Sequence, residues 1–346
     1  MSLTRLLKRR SRKSLFTTPS HSQRFMIYKP LKSAYKIDIS ETQAYDPQKA
    51  LRRAEERAKK IYGTVSTTFL TNGSTSGILA SVLTCVSAGD KVLLWKDAHQ
   101  CHLNAVKLAG AIPVFYDVDK DFYWGIPLET TTDTIENSFD KFDNIKAVII
   151  TSPTYEGIVS DIMKIKEICK KHNAYLIVDE AHGALFPFSD RLPDSAIKYA
   201  DFTVQSLHKT AGGLNPTALL HCNCNLDVQK GLKMINTTSP SYPLLASIEE
   251  NINYLNSWIG KRHLNKLIDE LQRLHEECDK CEFLGDDLTK ILIKVPNMTG
   301  EDLSEILYKD FDIEDERTNK KSTMLLCGIG TDVNKIRKLK NALKNL

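Results

Sequence analysis

No uninterrupted apolar run comes near the ~18–20 residues that a bilayer-crossing helix needs, so a membrane span is not expected. No apolar block of about 7–15 residues follows the basic start, which excludes a secretory signal. A nucleotide-binding phosphate loop, G-x-x-x-x-G-K-[ST], is also missing. The single Gly-Lys pair is Gly260-Lys261, and Arg262 follows it within a helix-like stretch. Internal repeats are absent. Acids are absent too until Asp38, whereas Met1 to Lys36 carries ten Lys or Arg. The whole chain is at +4, so without those ten the remainder is at −6.

That asymmetry bears on partners. A nucleic-acid protein spreads basic surface through its fold, and this fold is acidic past the head, so no nucleic-acid partner is expected. An Arg- and Ser-rich head without acids has the composition of a transit peptide, or of a solvated basic helix and arm. The 346 residues are 42% hydrophobic and 26% charged, which is globular composition and excludes a disordered or fibrous chain. Eight cysteines form two close pairs, Cys222-Asn-Cys224 and Cys278-x-x-Cys281, neither in a zinc knuckle. No metal is expected, and the cysteines fit a reducing cytoplasm.

Along the chain, residues 46–62 predict a helix, with Pro47 near its first turn, Gly63 beyond its end and Ala50, Ala54, Ala58 and Ile61 as an apolar stripe. Strand and helix then alternate. Strands are expected at 67–71, 91–95, 112–116, 146–151, 175–178 and 202–205, with helices at 74–86, 99–108 and 161–172. Continuously apolar strands separated by helices imply a mainly parallel sheet covered on both faces, an α/β fold. A long helix follows over 241–277, which Gly260 is expected to interrupt. Then come strand 290–295, helix 300–309, strand 323–327 and helix 331–344, a smaller α+β unit.

In such sheets a ligand sits where strands end and helices begin. Four segments there carry polar residues. Thr71-Asn-Gly-Ser-Thr-Ser-Gly77 offers Ser74 and Thr75 at a helix N-terminus, as an anion site or an ordinary cap. Val178-Asp-Glu-Ala-His182 sets an acidic pair directly behind a buried strand, which is unfavourable unless the pair binds something. Without a phosphate loop, a nucleotide-bound Mg²⁺ is excluded, and an acid for a heterocyclic nitrogen remains. Ser206-Leu-His-Lys209 puts a lysine at a strand end, where a lowered pKa allows a Schiff base. Lys96-Asp-Ala-His99 offers His99 either to a flat cofactor or as a helix cap. Asp179 and Lys209 are one strand–helix–strand excursion apart, so one pocket can hold both. A phosphate cup, an Asp for a pyridine nitrogen and a Lys for an aldehyde together describe pyridoxal phosphate binding.

These segments carry a family resemblance. FTTPSH at 16–21, FLTNGSTSGILA at 69–80, DAHQCHLNAVKLAGAIPVFY at 97–116, TSPTYEG at 151–157, LIVDEAHGA at 176–184 and TVQSLHKTAGG at 203–213 stand in the family's order and spacing. The chain resembles the major domain of the bacterial ornithine/lysine/arginine decarboxylases. These are fold type I pyridoxal-phosphate enzymes of aspartate aminotransferase-like architecture. The resemblance implies pyridoxal 5'-phosphate held by Lys209 as a Schiff base, with Asp179 on the pyridine nitrogen and His99 stacked on the ring. It implies Ser74, Thr75, Ser206 and His208 at the phosphate, His182 near the ring hydroxyl and Thr154 near the substrate approach. Two features depart from the pattern. Asn215-Pro216 stands where the family has Ser/Thr-Gln, and the arm at 38–47 is short. The family's further C-terminal segment, with a YPPG-like motif, is not expected within these 346 residues.

The expected domains are a basic helix and arm over 1–45, a cofactor-binding major domain over 46–245 and a small α+β domain over 246–346. With the resemblance running from Phe16, residues 3–13 become a basic amphipathic helix with Leu3, Leu6 and Leu7 inward, rather than a cleaved leader. The expected function is decarboxylation of arginine, lysine or ornithine in the cytoplasm by a homodimer, since sites of this fold form at a dimer interface. Aminotransferase or other lyase chemistry on the same fold, with Arg317 or Arg337 for a substrate carboxylate, is the alternative. A lapsed homologue that keeps the cofactor as a structural element is the third.

Overall fold

A computed structural model of the chain describes residues 2–10, 34, 36–39 and 47–346. Helix α1 (Leu3–Arg10) is the described part of the expected basic helix. Leu3 and Leu7 are fully buried and Leu6 packs beside them, as their spacing on one helical face requires. The Thr4 N–H donates to Glu249 Oε2 at 3.2 Å, and Arg57 pairs with the same carboxylate. Negative charge there complements the unpaired N–H groups of the helix start. Residues 11–13 of the expected helix, the 16–21 element and most of the 38–47 arm lie outside the described residues.

Helix α2 (Gln48–Tyr62) begins behind Pro47 and ends at Gly63, which is left-handed at φ 69°. Ala50, Ala54 and Ala58 are buried along one side. The alternating stretch then runs β1 (Ser66–Leu70), α3 (Gly73–Cys85), β2 (Lys91–Trp95), α4 (Gln100–Leu108) and β3 (Ile112–Tyr116). A short hairpin of β4 (Lys120–Asp121) and β5 (Ile126–Pro127) leads to α5 (Thr132–Lys141), β6 (Ile145–Thr151), α6 (Ile162–Lys171), β7 (Tyr175–Asp179) and β8 (Phe202–Ser206). From β1 to β8 the predicted elements are displaced by one residue at most; the helices expected at 46–62, 300–309 and 331–344 each differ by two residues at one end. The pattern gives no warning of α5, of β9 (Ala218–Cys222) or of α7 (Gln229–Ile235).

The main sheet has the order β1-β9-β8-β7-β6-β2-β3. Strand β9 is antiparallel to both neighbours, and the other pairings are parallel. Strands β1, β2, β6, β7 and β8 therefore all end at one edge. Helices α3, α4 and α7 bury one face with Ile78, Val82, Ala105 and Leu232, while α5 and α6 cover the other with Ile135, Ile165 and Ile168. Gly77 sets the depth of α3. A Cβ there would lie 2.6 Å from Val204 Cγ1, so only glycine lets this helix approach β8 so closely.

The expected break at Gly260 is displaced. Helix α8 (Tyr242–Asn256) ends at Ser257, whose Oγ accepts the Gly260 N–H at 3.0 Å and caps α9 (Trp258–Glu277). A serine cap starts a new helix more decisively than a glycine inside one breaks it. The expected boundary at residue 245 falls inside α8. Beyond α9, β10 (Glu282–Leu284), β11 (Lys290–Lys294), α10 (Gly300–Phe311), β12 (Arg317–Thr318), β13 (Thr323–Leu326) and α11 (Val333–Lys344) complete the chain. Their antiparallel sheet has the order β10-β11-β13-β12.

The acidic pair after β7 divides between two jobs. Asp179 turns to the sheet edge, whereas Glu180 is fully buried and accepts from Ser195 Oγ (2.7 Å), Ala196 N (2.7 Å) and Gln205 Nε2 (2.6 Å). Burial pushes its pKa up to about 7 against those three hydrogen bonds. Glu180 is a structural bracket, so of the acidic pair only Asp179 faces a cavity at the sheet edge. Glu180→Ala would orphan three buried donors and is expected to lower stability by about 3–5 kcal/mol, read as a urea midpoint. A loss below about 1 kcal/mol would contradict the bracket role.

Candidate active site

A cavity of about 800 Å³ opens at the shared strand edge, a size suited to a small-molecule ligand. It is lined by Ser74 and Thr75 from α3, His99 before α4, Asp179 at the end of β7 with His182 beyond it, and Ser206 at the end of β8 with His208 and Lys209 beyond it. The parallel strands dictate this convergence, because each turns into its following segment at the same edge. The fold brings together all the expected site residues except Thr154. Thr154 Oγ1 accepts the Ile158 N–H at 3.1 Å inside its own turn, and the neighbouring Tyr155 and Glu156 line the cavity instead.

Lys209 sits on a π-helical turn, Leu207–Ala211, directly behind β8. Its Nζ lies 3.0 Å from His182 Nε2. Burial pulls its pKa below the ordinary lysine range, opposed chiefly by the charge of Asp179. Asp179 ends β7 and is buried. Its Oδ2 meets His102 Nε2 at 2.9 Å and its Oδ1 accepts the Ala181 N–H at 3.1 Å. Burial alone would raise its pKa, but the His102 bond and charge, followed by Lys209, outweigh it and hold the carboxyl below the usual range. Asp179 is therefore a buried, ionised carboxylate facing a cavity.

His99 does both jobs that its sequence position allowed. It caps α4, Nδ1 accepting the Cys101 N–H at 3.3 Å, and its ring lines the cavity. His102, one turn later, points inward to Asp179. His102 stands three residues after His99, a spacing that turns the buried side of the helix toward the sheet. His208 donates from Nδ1 to the Thr217 carbonyl at 3.0 Å, which leaves Nε2 free of that bond. Asn215 and Pro216 also line the cavity, and the Pro216 carbonyl accepts the Gly73 N–H at 2.8 Å. The departure from the family pattern thus buttresses the start of α3. Arg317, on β12, enters the cavity wall 3.3 Å from Glu156 Oε1. Arg337 is outside that wall, on α11.

The residues fit a phosphorylated pyridine aldehyde. Ser206 Oγ is fully buried, lines the cavity and has no hydrogen-bond partner among the described residues. Such a group is unfavourable unless something accepts from it. Ser74 and Thr75, in the first turn of α3, line the same cavity, and a helix start suits a phosphate. An ionised Asp179 suits a protonated ring nitrogen, and a lysine with a depressed pKa suits an aldehyde.

Residues 9–299 match the family described as Orn/Lys/Arg decarboxylase, major domain. YaaO of Bacillus subtilis is 32% identical over 278 residues, 76% of this chain and 58% of that protein. The arginine decarboxylase of Bacillus subtilis is 28% identical over 338 residues, 91% of this chain and 69% of that protein. Among solved structures, the lysine decarboxylase LdcF of Francisella novicida superposes with a TM-score of 0.84 at 18% identity, covering 99% of this chain and 59% of that one. The chain thus spans a little over half the length of some of these relatives. The structural likeness shows the fold, the aspartate aminotransferase-like fold type I architecture expected from the sequence. Among the described residues, no helix is long and apolar enough to cross a membrane.

Proposed function

The chain belongs to the Orn/Lys/Arg decarboxylase family, and on that premise we propose a pyridoxal-phosphate-dependent carboxy-lyase acting on arginine, lysine or ornithine. The observation that carries the proposal is the meeting in one cavity of Lys209, ionised Asp179 and Ser206, whose hydroxyl has no partner among the described residues. Ser74, Thr75 and Ser206 would hold the phosphate, with His208 beside them. His99 would cover the ring. When bound, the protonated pyridine ring supplies an electron sink for the pair left as carbon dioxide departs.

The chain's own residues do the rest. Asp179, held ionised by His102, keeps a proton on the ring nitrogen. Lys209 would hold the cofactor aldehyde until a substrate amine binds, and it or His208 would be the group that returns a proton to the substrate carbon. Glu156 supports a cationic substrate side chain: it is buried in the cavity wall and its Oε2 has no partner among the described residues. The protein is proposed to act as a cytoplasmic homodimer, and sedimentation as a monomer would count against the catalytic reading.

Arg317 favours a second reading, an aminotransferase, because its guanidinium could pair with a substrate carboxylate. Carbon dioxide release from the three basic amino acids separates the readings. Release without keto-acid formation is expected; keto acid without carbon dioxide would favour the aminotransferase. Cofactor binding with neither product would mark a lapsed homologue.

A further inference from the structure

Cys222 closes β9, and Cys224 follows it on the bend that leads to α7. Cys222 is fully buried in the core beneath α3 and α7, whereas Cys224 is half-buried. Their Sγ atoms are 3.6 Å apart, and both thiols are free. A disulfide bond is about 2.05 Å long, so the sulfurs touch without being joined. The residue between them is fixed. Asn223 Nδ2 donates to the Ile197 carbonyl at 2.6 Å and to the Ala200 carbonyl at 3.3 Å, and its Oδ1 accepts the Val65 N–H at 3.3 Å. The Asn223 N–H donates to the Asp201 carbonyl at 2.9 Å. These hydrogen bonds hold the turn that carries both thiols, so the fold itself sets their approach.

The two sulfurs are not equivalent. The Cys222 sulfur faces the carbonyl oxygens of Cys224 at 3.4 Å and Leu226 at 3.8 Å, neighbours that suit a protonated thiol. The Cys224 sulfur accepts from the Cys222 S–H and from the Leu226 N–H, neighbours that suit a thiolate. The Cys222 hydrogen bond, then the Leu226 one, holds the Cys224 thiol below the ordinary cysteine range; Lys166 assists, while burial and Asp201 oppose. Stability gives no reason for the pair. A cross-link that skips one residue closes so small a loop that it removes almost no entropy from the unfolded chain. Among the described residues, neither cysteine belongs to a group of three close metal-ligating side chains.

We propose that Cys222 and Cys224 form a redox modification site for hydrogen peroxide, with Cys224 as the attacking sulfur and Cys222 as the resolving one. The Cys224 thiolate attacks one peroxide oxygen; the S–O bond forms as the O–O bond breaks, and the other oxygen leaves as hydroxide. Cys224 is then a sulfenic acid. The Cys222 sulfur attacks the sulfenic sulfur, and its thiol proton leaves with the sulfenic oxygen as water. The two sulfurs are oxidised to one disulfide, and the peroxide is reduced to hydroxide and water. A thiol reductant reverses the change by exchange. Neither cysteine lines the cavity, so the inference stands apart from the reading of Lys209.

The test mixes the reduced full chain with hydrogen peroxide, blocks the remaining thiols at timed intervals and locates the products by mass mapping of peptides. A Cys222–Cys224 disulfide, lighter by two hydrogens and reopened by dithiothreitol, is expected to form about tenfold faster than in the same chain unfolded in urea, where the turn and its hydrogen bonds are lost. In Cys222→Ser, Cys224 is expected to stop at the sulfenic acid, with one oxygen gained and trapped by dimedone. Cys222→Ala should behave alike, which covers the case of one variant folding poorly. Cys224→Ser should lose the fast reaction. A pair that oxidises no faster folded than unfolded overturns the inference. So does a wild-type Cys224 that gains oxygen without forming the disulfide, or a Cys222 that still reacts fast in Cys224→Ser.

Discussion

Lys209→Ala is expected to abolish the visible band that the wild-type protein develops with pyridoxal 5'-phosphate, and to cut carbon dioxide release by about a thousandfold or more, the scale of a lost catalytic group. The environment of Lys209 sets that expectation. Its amine is half-buried on the turn that follows β8, close to the Asp179 charge, and desolvation has already lowered its pKa. Lys120 also lines the cavity, but it is exposed and has Asp97 at 3.9 Å. Lys120→Ala should therefore keep the band. The fold should survive the loss of Lys209, because its one described hydrogen bond is to His182. That loss is worth about 1 kcal/mol, well short of unfolding a domain. Absorbance titration beside a urea midpoint reads both effects. A band that persists in the alanine variant would remove Lys209 from the chemistry.

Which parts of this arrangement the sequence discloses follows from range. Strands β2 and β3 stand at their expected limits because their apolar runs are bounded by turns, and local pattern suffices. Strand β9 has an equally apolar core, Ala218–Cys222, but it follows the Gly212–Pro216 turn and ends at Cys222, which draws notice as half of a cysteine pair. The two thiols do come within 3.6 Å, yet both are free, and Cys222 packs in a different core from Cys278. Lys209, Asp179 and His99 are legible because each sits at a strand end in a quotable motif. His102 is legible only as spacing, since its partner Asp179 is 77 residues away. Lys290, whose Nζ lies 2.9 Å from His182 Nδ1, carries no local signal. A lysine opening an apolar strand resembles an ordinary polar edge, and only the packing of the smaller sheet on Gly157 turns it inward, 108 residues from His182.

Asp179→Asn is the second large effect, and it separates charge from shape. Asparagine keeps nearly the volume and one carbonyl acceptor, so the fold and the Lys209 band should remain. The negative charge is lost, and with it the stabilisation of a protonated ring nitrogen. Turnover is expected to fall by about 10²–10⁴-fold, a range typical of a removed acid–base or electrostatic partner. Stability supplies an independent reading with a definite sign. The folded pKa of Asp179 lies below its ordinary 3.8, so its contribution is present above that value and lost as pH falls through the folded one. The asparagine variant lacks this limb. Its urea midpoint should therefore decline less steeply than that of the wild type as pH falls below about 4. Near pH 7 a uniformly destabilised variant would lose midpoint and activity together, whereas loss of charge removes turnover while leaving band formation in place. An Asp179→Asn protein that turns over at wild-type rate would show that the His102–Asp179 pair serves packing, and the electron-sink role would have to come from elsewhere in the cavity.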